Sequence, residues 1–404
     1  MNSHLAETSN TRIQSLDIIR GFALLGILVM NIQSFAMPEA AYTNPTAYGD
    51  FNGINKLVWM VSHLLFDSKF MALFSMLFGV GILVFSDNLV ARGNKAFATH
   101  ARRMFWLLLF GFIHGHLIWS GDILFMYAAC GFVFYSFRNR TIKTLWIVGI
   151  IFLTIGWGFT ELIQVSLNYM TPDEVADMAT DWAPTREETS SKLLSMTGVW
   201  SQQFSLRTEN AWFMQTFGVL YYGLGRVGGL MLIGMALYKQ GLFTGRYAPS
   251  DLLKKGLVNL LIGFSFTIYG LFFNFQHDWA FSYSQFRGMQ FNYIGSVFVA
   301  IGYAQLLALV VQKQWFAAVT KRLAYVGRMA FTNYISQSII CTFIFYGFGL
   351  GLFGSVERWQ QLLIVLCIWA LQLTWSPLWL ESFRYGPLEW LWRTLTYWQK
   401  PNGR

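Results

Sequence analysis

Charge is what this sequence has least of. Asp, Glu, Lys and Arg together make up 12% of 404 residues, against 55% hydrophobic, so a water-soluble chain of this length would lack the polar side chains to cover its surface. A lipid-facing exterior removes that difficulty. Cysteine is scarce as well: Cys130, Cys341 and Cys367 lie singly in apolar runs, which excludes a disulfide framework and a CxxC metal site and leaves three expected buried free thiols. No Walker loop, dinucleotide fingerprint or G-x-S-x-G elbow occurs. No His or carboxylate cluster has metal-ligand spacing, so no metal is expected. The absence of an internal repeat argues against an inverted-repeat transporter.

What is present is apolar, aromatic and unevenly basic. Aromatic residues reach 18%, a level that interfacial belts and lipid contacts accommodate. Runs near 20 apolar residues, the length of a membrane-crossing helix, fall at about 18–37, 69–86, 104–120, 121–137, 145–165, 211–238, 257–275, 291–311, 330–353 and 359–380. The fold class expected is therefore all-α: a single polytopic transmembrane helical bundle over 1–404, of about ten spans. The third and fourth are short and nearly fused, and 54–66 is either an interfacial helix or an extension of the second span. Arg12 and Arg20 ahead of 21–30 resemble a signal peptide, but Asp17 sits poorly in one, and a retained first helix is expected.

The net charge of +9 is distributed as membrane orientation requires, so nucleic acid is not an expected partner. With both termini cytosolic, every Lys and Arg faces inward except Lys56, Lys69, Arg186, Lys192, Arg207, Arg226, Arg287 and Arg358, which fits an even number of spans and the positive-inside rule. A polar segment at about 168–210, rich in Asp and Glu, is then external, either a solvated loop or a lid over a site. A short cytosolic tail follows at about 381–404.

Ionisable groups inside spans are the functional candidates, because lipid penalises them unless they are paired or wet. Asp17 and Arg20, spaced i,i+3, form an ion pair that either sets helix depth or offers the guanidinium fork to a phosphate. In His-Gly-His-Leu-Ile-Trp-Ser-Gly-Asp, the Ser-Gly turn should carry Asp122 back to His114, and a carboxylate-oriented imidazole is the arrangement of a general base. Helix-to-helix hydrogen bonding is the plainer reading of the same residues. Arg226, flanked by Gly223, Gly225, Gly228 and Gly229, is expected to find its counter-charge in Glu161 or Asp122. Asn31, Gln33, His63, Asp67, Lys69, Gln164 and His116 are further polar groups in or near spans. Asn333 and Gln337 read as interhelical amide bonding, and Glu389 and Arg393 as a surface-helix ion pair.

Four stretches carry a resemblance: Leu-Asp-Ile-Ile-Arg-Gly-Phe-Ala-Leu-Leu-Gly-Ile at 16–27, Phe-Gly-Phe-Ile-His-Gly-His-Leu-Ile-Trp-Ser-Gly-Asp-Ile-Leu at 110–124, Gly-Arg-Met-Ala-Phe-Thr-Asn-Tyr at 327–334, and the tail Gly-Pro-Leu-Glu-Trp-Leu-Trp-Arg. Over nearly the whole chain they resemble the YeiB-like family of bacterial inner-membrane proteins. The opening motif also resembles the wider transmembrane acyltransferase superfamily, which includes the heparan-alpha-glucosaminide N-acetyltransferase. That resemblance implies an acyl group moving from cytosolic acyl-CoA to an acceptor across the membrane, with Arg20 near the CoA entrance and a histidine in transfer. Many bacterial members place a histidine where this sequence has Asn31, so the base falls to His114, ahead of His63 and His116. The resulting expectation is acyl transfer. Acyl-CoA, foremost acetyl-CoA, is held as co-substrate by Asp17, Arg20, Arg102 and Arg103, His114 and Asp122 are catalytic, and Arg226, Glu161, Asn31 and His116 lie on the substrate side. Membrane lipid and a small-molecule, glycan or lipid acceptor are the partners. A carrier or flippase for a small anionic or lipid-like solute is the alternative, and an accessory membrane protein without turnover a third.

Overall fold

The structure, a computed structural model, describes residues 14–401; Arg12 and Arg404 of the basic set lie outside the described residues. Among those described, every regular element is helical, as expected where backbone groups must satisfy one another without water. The order is α1 (Gln14–Ala36), α2 (Ala40–Thr43), α3 (Gly53–Leu65), α4 (Lys69–Ala91), α5 (Ala96–Leu117), α6 (Leu124–Phe134), α7 (Ile142–Ser166), α8 (Pro172–Ala179), α9 (Arg186–Thr197) and α10 (Trp200–Phe213). Wider π-helical turns over Met214–Gly228 join α10 to α11 (Gly229–Gln240). Then come α12 (Pro249–Gln276), α13 (Phe281–Tyr283), α14 (Met289–Gln312), α15 (Ala317–Arg328), α16 (Ala330–Phe345), α17 (Arg358–Ser382) and α18 (Pro387–Tyr397).

Among the described residues, seven helical stretches are long and apolar enough to cross a membrane: Gln14–Ala36, Gly53–Ala91, Ile142–Tyr169, Trp200–Gln240, Pro249–Gln276, Phe281–Gln312 and Arg358–Ser382. Leu124–Phe137 and Ala330–Phe345 are shorter apolar helices. The 22 residues of α5 would suffice in length but include Arg102 and Arg103. The segment 54–66 extends the second stretch as α3, bent from α4 at Ser68, whose φ of 62° breaks the helical path.

Burial assigns the helices to layers. The apolar window of α1 is 78% buried, against 17% for α7, 22% for α17 and 28% for α12. So α1 runs through the centre, and the others present Ile150, Ile155, Leu261 and Leu366 outward, as a lipid-facing shell should. Small residues allow the central crossings. A Cβ on Gly21 would stand 2.0 Å from the Leu323 carbonyl oxygen, and one on Gly327 1.9 Å from that of Asp17, so α1 and α15 touch backbone to backbone.

The polar segment at about 168–210 is folded as α8, α9 and the first turns of α10. Thr171 with Glu174 and Thr185 with Glu188 form capping boxes that start the first two. This cap is tied down by Trp182 Nε1 donating to the Trp279 carbonyl at 2.8 Å and by Gly347 N–H donating to Met196 at 3.0 Å. At the opposite end, Glu389 of α18 is not paired with Arg393. Its carboxylate accepts the Phe331 and Thr332 N–H groups at 2.7 and 3.0 Å, capping α16, while Arg393 stacks on Tyr385 and Tyr397. The unpaired donors at a helix start are the stronger attraction for a buried carboxylate. Asn333 and Gln337 do bond across to α17, through Ser376 at 3.0 Å and Gln372 at 2.9 Å. Cys130 and Cys341 are buried thiols; Cys367, against expectation, is exposed on the outer face of α17.

Candidate functional site

The turn 118–123 folds α6 back against α5, and Gly111 makes the contact close: a Cβ there would stand 2.2 Å from the Phe125 nitrogen and 2.7 Å from Asp122 Oδ2. Across it, His114 Nδ1 lies 2.8 Å from Asp122 Oδ1, while Asp122 Oδ2 accepts the Phe125 N–H at 2.8 Å at the start of α6. With both oxygens engaged the carboxylate is fixed, and it fixes the ring: Nδ1 carries the proton it donates, leaving Nε2 as an acceptor. Both side chains are 1% exposed. Nε2 has no hydrogen-bond partner in the protein, and burying such an atom costs about 1–3 kcal/mol unless water or a ligand completes it.

Two aromatic side chains wall the imidazole, and each also faces a cavity. Tyr334 lies 5.3 Å from the ring, centroid to centroid, and Trp119 meets it edge-on at 6.3 Å. With Ile123 and Leu124, Tyr334 lines a cavity of about 170 Å³ that continues past Leu107, Phe78 and Ile82 to Arg20, Arg103, Arg328 and Trp392. The Tyr334 hydroxyl accepts the Ile123 N–H at 3.2 Å. Trp119, stacked on Phe35 at 4.0 Å, forms a wall of a smaller cleft of about 20 Å³ at the cap end, shared with Glu39, Lys192 and Arg207.

The basic mouth of the larger cavity is assembled from three helices. Arg20 pairs with Asp17 at 3.2 Å, Arg103 stacks between Phe85 and Trp392 at 4.4 and 4.5 Å, and Arg328 donates to the Arg384 carbonyl at 3.2 Å. Glu389 also lines this cavity; burial raises its carboxyl above the ordinary value, and the hydrogen bonds from Thr332 and Phe331 offset this only in part. Arg102 is exposed on the other side of α5, beside Thr99, and lines neither cavity.

Other expected residues lie elsewhere. Arg226 is buried but takes neither expected counter-charge: Glu161 pairs with Arg287 at 3.5 Å, Asp122 with His114. It donates instead to the Tyr293 carbonyl and to Ser296 Oγ at 2.9 and 2.5 Å and stacks on Tyr293, because α14 offers it acceptors at the depth where it enters. Glu161 lines neither cavity. His116 is held by Gln215 Oε1 at 3.2 Å, under Trp212, and half-buried Asn31 lines neither cavity. A second polar knot joins His63, Asp67, Lys69 and Asn292: His63 Nδ1 to Asp67 Oδ2 at 2.9 Å, Asn292 Nδ2 to the same oxygen at 2.8 Å, and Lys69 Nζ to Asn292 Oδ1 at 2.5 Å. Tyr334 and Arg207 were not singled out from sequence. Tyr334 ends the quoted Gly-Arg-Met-Ala-Phe-Thr-Asn-Tyr stretch, and that was its one signal; Arg207 looked like an ordinary external cation.

Known proteins resemble the chain over nearly its whole length. Residues 237–399 match the family described as a protein of unknown function (DUF418). The chain is 33% identical to "Uncharacterized protein YeiB" of Escherichia coli (strain K12), over 95% of each. It is 31% identical to "Uncharacterized protein YxaH" of Bacillus subtilis (strain 168), over 99% of this chain and 98% of that one. A third relative, 27% identical, is the "Uncharacterized 39.9 kDa protein in amylase 3'region" of Bacillus acidopullulyticus. None of these names states an activity.

Proposed function

The chain belongs to the YeiB-like family of membrane proteins, and from the His114 site together with the opening motif's resemblance to transmembrane acyltransferases we propose that it is a membrane acyltransferase. It takes an acyl group, foremost acetyl, from cytosolic acyl-CoA and delivers it to a hydroxyl or amine acceptor arriving from the other side. The observation that carries this reading is a single cavity reaching from three arginines to Tyr334, whose ring lies 5.3 Å from that of His114; the imidazole, with its unpartnered Nε2, adjoins this cavity through Tyr334 and does not itself line it.

In this reading Arg20, Arg103 and Arg328 take the phosphates of the CoA nucleotide at the mouth. Only the narrow pantetheine arm and thioester enter the apolar bore of about 170 Å³. His114 Nε2 removes the proton of the acceptor hydroxyl or amine, whose oxygen or nitrogen attacks the thioester carbonyl carbon. Asp122 holds the ring and stabilises the imidazolium. As the new bond forms, the carbonyl oxygen gains charge, and the Tyr334 O–H, whose oxygen already accepts from Ile123, is positioned to donate to it. The C–S bond then breaks, and the imidazolium returns its proton to the departing thiolate. Arg226, bound to α14, is left out of this sequence. We place the protein in the bacterial inner membrane with about ten spans, α5, α6 and α16 completing the seven longer ones, and with both termini cytosolic, an orientation that the distribution of basic residues favours.

The test is consumption of labelled acetyl-CoA by detergent-purified protein supplied with hydroxyl and amine acceptors. His114→Ala should lower the rate by about 10²–10⁴-fold while acetyl-CoA binding persists. Equal, background-level consumption by both proteins would reject the reading. The carrier alternative draws on the Lys69 and Arg226 pair of buried cations near α14; it requires uptake of a labelled small anion into proteoliposomes that Arg226→Gln abolishes and His114→Ala does not.

A further inference from the structure

Arg207 is 5% exposed, yet only its Nε is used, donating to the His116 carbonyl at 2.8 Å. Its two terminal nitrogens, the prongs of the fork, have no hydrogen-bond partner in the protein. A buried guanidinium left half-satisfied is expensive unless something else completes it. Stacking on Trp200 at 4.8 Å holds the plane of the fork but supplies no acceptor. Arg207 lines the cap-end cleft together with Gln203, whose Nε2 donates to Met196 and Gly198 while its Oε1 is left without a donor. Charge in the cleft is also unbalanced. Among its lining residues those charged at neutral pH are Arg207, Lys192 and Glu39, and Glu39 is already engaged by Lys192 at 2.9 Å and Asn210 at 2.6 Å.

We propose that this cleft binds a small, water-borne oxyanion that also carries a hydroxyl or amine, with the Arg207 fork taking the carboxylate or phosphate and Gln203 Oε1 accepting from the donor group. The proposal names the acceptor class for the transfer described above and rests on that reading only for the transfer step. At about 20 Å³ the cleft has room for little more than a water-sized group, so the oxyanion enters as the side chains lining it give way. Lys192, paired with Glu39 at 2.9 Å, adds positive charge at the rim of the cleft. Trp119 forms the wall between this cleft and His114.

Titration calorimetry on the purified full chain, without acyl-CoA, tests this with glucuronate, glycerol 3-phosphate and glucose. Saturable binding of at least one oxyanion, about tenfold or more tighter than glucose and weakened about tenfold or more by Arg207→Gln, is expected; the carboxylate and phosphate arms identify which oxyanion. Equal affinity for glucose, no saturable oxyanion binding, or undiminished binding by folded Arg207→Gln overturns it. Should Arg207→Gln not purify folded, Lys192→Gln at the rim should weaken binding a few-fold and flatten its salt dependence, and an unchanged affinity overturns the proposal. Oxyanion binding that survives while acetyl transfer fails removes the transfer reading alone.

Discussion

At the scale of single residues, the informative contrast is between His114 and Arg226. His114 and Asp122 are eight positions apart with a Ser-Gly turn between them, so local chain reversal brings them together, and the 2.8 Å contact was legible in the sequence. Arg226 has no such local constraint. Its partners, a backbone carbonyl and a serine on α14, depend on which distant helix packs beside it, and a carbonyl acceptor leaves no trace in side-chain identity. Tyr334 was hidden for the same reason: its value lies in the cavity it lines and the ring it touches, not in its own chemistry. Under the acyl-transfer reading, Tyr334→Phe should lower kcat by about 10²-fold with KM for acetyl-CoA unchanged, because the phenol is used only as charge develops. An unaltered kcat would remove Tyr334 from the mechanism. Asp122→Asn should approach the loss of His114→Ala, since an amide can present its own N–H to Nδ1 and favour the wrong tautomer.

Elements were located well from apolar run length, and their ends poorly. The pair at 104–120 and 121–137 resolves into α5 and α6 separated by a turn at 118–123 that contains the expected boundary, whereas α5 begins at Ala96, eight residues before the apolar run. The capping boxes of α8 and α9 were written in Thr171, Glu174, Thr185 and Glu188, yet the acidic composition of the segment masked them. Glycine spacing decides how elements meet. Gly21→Val or Gly327→Val should force α1 and α15 apart and cost about 1–3 kcal/mol, seen as a lower unfolding temperature in detergent, whereas Gly158→Ala, with nothing within 4 Å, should leave it unchanged or slightly raised.

The joint between α16 and α18 also responds to pH. Burial raises the Glu389 carboxyl, so the folded chain binds this proton more tightly than the unfolded one. The contribution is full below the ordinary carboxyl value and declines as pH rises through the raised folded value. Glu389→Gln should abolish that decline in an unfolding-temperature profile, and a variant profile parallel to the wild type would refute it.

At the scale of the whole molecule, low charge and long apolar runs were sufficient to give an all-helical membrane bundle, since lipid leaves few alternatives. They could not give the cavities, which arise where helices from opposite ends of the sequence converge: Arg20 near one end of the chain and Trp392 near the other line the same space. The proposed mechanism makes the bundle two-sided, with one opening for the donor and another, under the cap, for the acceptor. A cysteine introduced at Ser191 of α9 should react with a membrane-impermeant thiol reagent added outside intact cells, in a background where Cys367 is replaced by serine; labelling only after lysis would reverse the orientation.

The central claim is tested most directly in proteoliposomes of known orientation. Labelled acetyl-CoA is supplied on the face carrying Arg20, and candidate hydroxyl or amine acceptors on the face carrying the cap. Acetylated acceptor should accumulate on the cap side with the wild-type protein and not with His114→Ala. Product formed only when donor and acceptor share one face, or formed equally by the variant, would contradict it.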